Sequence, residues 1–168
     1  MAAWVDKPGA VSGATVYRGG KLVARDATVT LPSVSFITAE IKAMGTMELP
    51  LPQIEAMELA ITRPGVDADT AALGKPGSAD LEIRWIQTGA KADGTVREVG
   101  CKAFCRGTSK AVPSVSLEVG SGPEAEHTFA INRYRLVVDG KEKLLVDQLA
   151  DQLVVDGTDF ARNLKSML

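Results

Sequence analysis

The chain has 168 residues, 45% hydrophobic and 24% charged, which suits one folded domain and excludes disorder, collagen-like repeats and extreme charge. Nineteen Lys and Arg against 21 Asp and Glu leave a net charge of −2, without the basic excess that a nucleic-acid binder uses to neutralise phosphates. No apolar run reaches the roughly 18 to 20 residues needed to span a bilayer, and the start lacks a basic stretch followed by an apolar one, so the expectation is a protein made and kept in the cytoplasm or released on lysis.

Met1 to Gly13 is rich in Gly, Pro and Ala and reads as an N-terminal arm, mobile in a free chain, ahead of a single β domain over residues 14–168. Period-two alternation between turn signals predicts antiparallel strands. Ala14 to Tyr17 and Lys21 to Ala24 flank Gly19-Gly20, a pair able to take the positive φ of a tight hairpin. Ala27, Val29 and Leu31 alternate with threonines up to Pro32. From Pro32 to Gly45 no single period fits, yet Val34, Phe36, Ile37 and Ile41 make the stretch too apolar for a free loop. Residues 32–51 therefore read as an interaction loop, the alternative being a segment folded onto its own core.

Met47 to Leu51 reads as an edge piece confined by Pro50 and Pro52. Glu55 to Arg63 is a strand with Met57, Leu59 and Ile61 on one face. Asp67 or Asp69 caps one or two helical turns to Leu73. Leu81, Ile83 and Trp85 alternate along a strand that turns at Asp93-Gly94 into Val96 to Arg106, with Val99, Cys101, Ala103 and Cys105 on one face. Glu126 to Val138 turns at Asp139-Gly140 into Lys141 to Val146. Residues 157–168 read as a docking helix, capped within Asp156 to Asp159, whose stripe of Phe160, Leu164 and Leu168 covers a sheet face.

Catalytic constellations are scarce. Cys101 and Cys105 on an extended strand lie about 13 Å apart, beyond disulfide reach, and read as reduced packing residues. His127 is the sole histidine, which removes multi-histidine metal sites within one chain. A Cys-His dyad with Cys101 or Cys105 lacks an accompanying oxyanion motif. Gly120 to Gly122 lacks the lysine and helix start of a phosphate loop and reads as a turn. Glu124 with Glu126, and Asp147 with Asp151, sit on polar positions without the apolar pocket that splits an acid-base pair. Trp4 and Trp85 invite a ligand-platform reading, but Trp85 continues the apolar alternation into the core. The chain reads as a non-enzyme with no cofactor and no metal.

Five stretches in order, VYRGGKLVARDATVTLPSVSF, MGTMELPLPQIEAMELAI, ADLEIRW, YRLVVDGKEKLLVD and VVDGTDFARNLKSML, resemble the major tail tube protein family of contractile-tailed bacteriophages and phage-tail-like bacteriocins. The resemblance implies a mainly β fold, an antiparallel β-sandwich or barrel with a flanking C-terminal α-helix. It also implies a structural role in the virion tail, assembled in the host bacterial cytoplasm: hexameric rings stacked into a tube inside a contractile sheath, through which DNA passes without specific binding. The partners it implies are other copies of the chain, the tail sheath protein, a baseplate or tube initiator, and a tape-measure protein that sets length, since a repeating heterologous contact has no length of its own. Within that reading Phe36, Ile37, Ile41, Met44 and Met47 are the expected inter-subunit contacts. Glu58 and Thr62 are lumen candidates, set against the outer wall.

Two rivals stand beside it. One is a tube subunit of a contractile bacteriocin, injection or secretion machine, which only gene neighbourhood separates from a phage. The other is a monomeric β-sandwich ligand-binding module. That module predicts a surface aromatic cluster, whereas aromatic residues are 5% of this chain.

Overall fold

The structure, a computed structural model, describes residues 6–168. Thirteen strands and two short helices follow one another: β1 Lys7–Arg18, β2 Lys21–Arg25, β3 Thr28–Thr30, β4 Phe36–Lys42, β5 Thr46–Ile54, β6 Met57–Pro64, α1 Ala68–Leu73, β7 Ser78–Ala90, β8 Val96–Ser109, β9 Val115–Ser116, β10 Glu124–Val138, β11 Lys141–Asp147, β12 Gln152–Val155, β13 Thr158–Asp159 and α2 Arg162–Met167. Every strand pair is antiparallel.

Eleven strands form one sheet in the order β13-β12-β11-β10-β8-β7-β1-β2, with β3, β6 and β9 attached beside that path; β4 and β5 form a separate two-stranded sheet. Strand β10 makes this topology by serving two neighbourhoods in turn. Its first half, Glu124 to Ile131, pairs with β6, while its second half, from Arg133 onward, pairs with β11. The register against β8 shifts between Ile131 and Arg133, the break at which the strand passes from one neighbourhood to the other. Gly107 of β8 lies at this crossing, where a Cβ would meet the Ala130 carbonyl oxygen at 2.1 Å, so no larger residue lets the strands approach this closely.

The sheet encloses one core. Val16, Val23, Leu59, Ile61, Leu73, Leu81, Ile83, Phe129, Tyr134, Val146 and Leu153 are buried together, with Trp85 half-buried against them. The alternations of β6, β7 and β8 are therefore real core faces. The turns follow their residues: Gly19 and Gly20 take φ of 56° and 83°, and Asp139 and Gly140 take 52° and 73°, the left-handed pairs a two-residue hairpin needs.

Three expectations need correction. Strand β1 begins at Lys7, so residues 7–13 are not a loose arm but pair with β7 from Lys7↔Ala90 onward; the rest of the expected arm, Met1 to Val5 with Trp4, lies outside the described residues. The stretch read as aperiodic is a β-hairpin, β4–β5. Its alternation Ile37, Ala39, Ile41 is regular. The coil of Pro32 to Ser35 and a register shift between Phe36 and Thr38 put Phe36 and Ile37 side by side and mask the period.

The C-terminal helix is also shorter than expected, at Arg162–Met167. Residues 152–159 are instead a second hairpin, with Asp156 and Gly157 at φ 48° and 84° and Val155 paired to Thr158. The tetrapeptide VVDG occurs twice, at 137–140 and 154–157, and makes the same turn both times. Asp-Gly at the second site is a hairpin signal where a helix cap was expected. No residue of α2 is buried, so the stripe Phe160, Leu164 and Leu168 does not cover a sheet face: Phe160 and Leu168 are exposed and Leu164 is half-buried.

Candidate assembly surface

The hairpin β4–β5 has two chemically different faces. Register pairs Ile41 with Met47 and Ala39 with Leu49, so these four and Ile37 share one apolar face. Thr38, Glu40, Lys42, Thr46 and Glu48 occupy the other. In a free-standing two-stranded ribbon an apolar face has nothing of its own to cover, and such a ribbon is marginal alone in water. Phe36, Ile37, Ile41 and Met47 are 42%, 39%, 41% and 49% exposed, and Met44 at the tip is fully exposed. Leu49, which sequence reading passed over, is exposed on the same face; its alternation with Met47 was the available signal.

A second unfinished region lies at the far ends of β1, β7 and β8, which run on past the core as a three-stranded extension. Among the described residues, Lys7 to Gly13 pair only with β7, and Val96 to Val99 likewise, leaving two open strand edges. Val11, Ile86 and Val96 are exposed there. Open edges offer rows of unpaired backbone N–H and C=O groups to another chain.

Between the hairpin base and the chain end runs an apolar groove of about 780 Å³. Phe36, Pro50 and Pro52 form one wall, and Val155, Phe160 and Leu164 another; among the described residues no charged side chain lines it. Sequence reading missed it because it joins segments about a hundred residues apart.

The opposite corner is finished. Helix α1 carries a capping box: Asp67 Oδ1 accepts from the backbone N–H of Asp69 and Thr70 at 2.8 and 3.2 Å, and Thr70 Oγ1 accepts from the Asp67 N–H at 3.0 Å. Arg18 donates to the carbonyls of Ala72 and Lys75 at 2.9 and 3.0 Å, occupying the orphan acceptors at the helix end. Buried Arg63 donates to Thr70 Oγ1 at 2.9 Å and pairs with Asp67, whose carboxyl that guanidinium holds below the usual carboxylate range. His127 is buried against Gly74, with neither ring nitrogen hydrogen-bonded to a described residue. Burial, and then the nearby Arg63 and Arg18, push its pKa down, so it is neutral near pH 7.

The catalytic candidates are not brought together. His127 faces Ile61 across the ladder, whereas Cys105 faces Tyr134, about 20 Å further along β10. Both cysteines are free and buried, as packing residues should be, and burial pushes the Cys105 thiol up to about 12. Glu124, Glu126 and Asp151 are exposed, and half-buried Asp147 accepts from the Leu149 and Ala150 N–H groups in a turn. Glu58 and Thr62 lie on β6 opposite its buried face, with Glu58 bonded to Lys110. Among the described residues no His, Cys, Asp and Glu side chains cluster as a metal site, and no helix is long and apolar enough to cross a membrane.

A curled antiparallel sheet that closes its own core while leaving an apolar ribbon and two strand edges uncovered defines a structural β domain with surfaces for association. The family model described as phage tail tube protein FII matches residues 8–168, and the chain belongs to that family. It is accordingly a structural subunit of a phage tail tube, a component of the virion tail. No curated protein matches it.

Proposed function

We propose that copies of this chain assemble into hexameric rings that stack as a tube within a contractile sheath, giving DNA a channel out of the particle, and that the chain performs no catalysis. The observation that carries this reading is the uncovered apolar face of β4–β5: water-exposed Ile37, Ile41, Met47 and Leu49 gain by burial, and no described residue of the subunit covers them. Phe36, Ile37, Ile41, Met44 and Met47 are the proposed contacts between subunits. The open edges of β1 and β8 are suited to joining sheets of neighbouring subunits around a ring.

The charge pattern agrees with a wall along which DNA slides. On the face of β7, β8 and β10 turned from the core, Arg84, Arg106 and Arg135 are each bonded to a carboxylate, from Glu82, Asp80 and Glu142 respectively, which offsets most of the basic charge that this face offers to phosphates; exposed Lys102, opposite Arg84, is without a carboxylate partner among the described residues. Sheath, baseplate initiator and a tape-measure protein complete the particle in this reading.

Negative-stain microscopy of the purified protein, with mass measurement in solution, tests it. Rings or tubes with a six-fold mass are expected; a strictly monomeric protein at high concentration overturns the proposal.

A further inference from the structure

The groove between the hairpin base and α2 has its own chemistry. Its walls are Phe36, Pro50 and Pro52 on one side and Val155, Phe160 and Leu164 on the other, and among the described residues no charged side chain lines it. Asn163 at its rim is the one polar side chain. Helix α2 has six residues, no side-chain cap and no fully buried residue; among the described residues its hold on the subunit is the buried Ala161 that precedes it and the half-buried Leu164.

The same chain carries a knob of matching character. The hairpin tip Ala43-Met44-Gly45 has no charge, Met44 is fully exposed, and Ile41 and Met47 stand behind it. A methionine at a protruding tip adapts its shape to an apolar cleft. The tip cannot enter the groove of its own subunit, because the hairpin's base forms one wall and the tip lies about 20 to 26 Å away along the strands.

We propose that the groove receives the Met44 tip of a second copy of the chain, and that this insertion fixes α2. Knob and groove are different surfaces of one subunit, so the contact is heterologous and repeats from copy to copy, as a tube requires. This inference rests on the self-assembly proposed above and adds the seat that the hairpin occupies.

The test joins the two places covalently in the full-length chain. Met44→Cys and Asn163→Cys both lie on exposed positions, and the native Cys101 and Cys105 are buried and free, so they do not compete. Assembled protein is oxidised, denatured and run without reductant. The double variant is expected to give a ladder of linked multimers, and each single variant none. Tubes without a ladder overturn the inference while leaving self-assembly standing, as does a ladder from Leu117→Cys with Asn163→Cys, which would put the 117–123 loop in the groove instead. Absence of tubes from the unsubstituted protein overturns the self-assembly reading itself.

A second variant covers failure of the cysteine pair to assemble. Met44→Asp sits on a fully exposed side chain and is expected to fold with unchanged circular dichroism and unchanged Tm, but to lose tubes. Tubes at normal yield from Met44→Asp contradict the insertion.

Discussion

The described residues form two helices of six residues each, and they differ in nearly everything else. Helix α1 has a capping box, two arginines holding its ends, and Leu73 and Thr70 buried beneath it. Helix α2 has no side-chain cap and no fully buried residue, only the half-buried Leu164. Helices this short are unstable alone, so each needs tertiary support. The first has it inside the subunit, and the second borders an apolar groove that the subunit leaves open. The contrast separates the part of the molecule complete as a folded chain from the part completed by neighbours.

Substitutions can break or sharpen that contrast, beginning at the finished corner. Leu73→Ala removes a fully buried side chain under α1 and is expected to lower the unfolding free energy by about 3 kcal/mol, measured by urea denaturation. Arg63→Met removes the buried guanidinium that donates to Thr70 Oγ1 and pairs with Asp67, and is expected to cost about 2 kcal/mol in the same experiment. Asp67→Ala deletes the cap and is expected to cost about 1 kcal/mol.

A pH experiment addresses the same corner. His127 has a folded pKa below its ordinary value, so the unfolded chain takes up a proton first as the pH drops. Stability from the neutral ring is complete above about pH 6.5 and is lost as pH falls towards the folded pKa. His127→Leu should flatten this part of a urea-midpoint profile. The carboxyls of Asp67, Asp93 and Asp156, all held low by hydrogen bonds, titrate in a separate, more acidic window. The smallest effect belongs to α2: Leu164→Ala should change subunit stability by under about 1 kcal/mol, while weakening assembly.

The same division governs what could be read from the sequence. Where one face of a strand is buried in its own subunit, the alternation is clean, and β6, β7, β8 and the first half of β10 were legible, as were the turns at Gly19-Gly20 between β1 and β2 and at Asp139-Gly140 between β10 and β11. The cap of α1 was legible as Asp67 or Asp69 because capping is local chemistry, and the structure places it at Asp67. The hairpin β4–β5 was harder, since the adjacent Phe36 and Ile37 straddle a register shift. At the C-terminus Phe160, Leu164 and Leu168 have helical spacing without a buried helical face, and the Asp156-Gly157 turn took residues 152–159 into strands. The groove depends on segments distant in sequence, and no local pattern announces it.

The most direct measurement is hydrogen–deuterium exchange on the free subunit and on the assembled protein under one set of conditions. Amides of Phe36 to Ile54 and of α2 should slow at least about tenfold on assembly, equivalent to about 1.4 kcal/mol, while the core amides of β7 and β8 around Ile83 and Ala103 stay as they were. Assembled protein in which the hairpin exchanges as fast as in the free subunit would contradict the claim that this ribbon is where neighbouring copies meet.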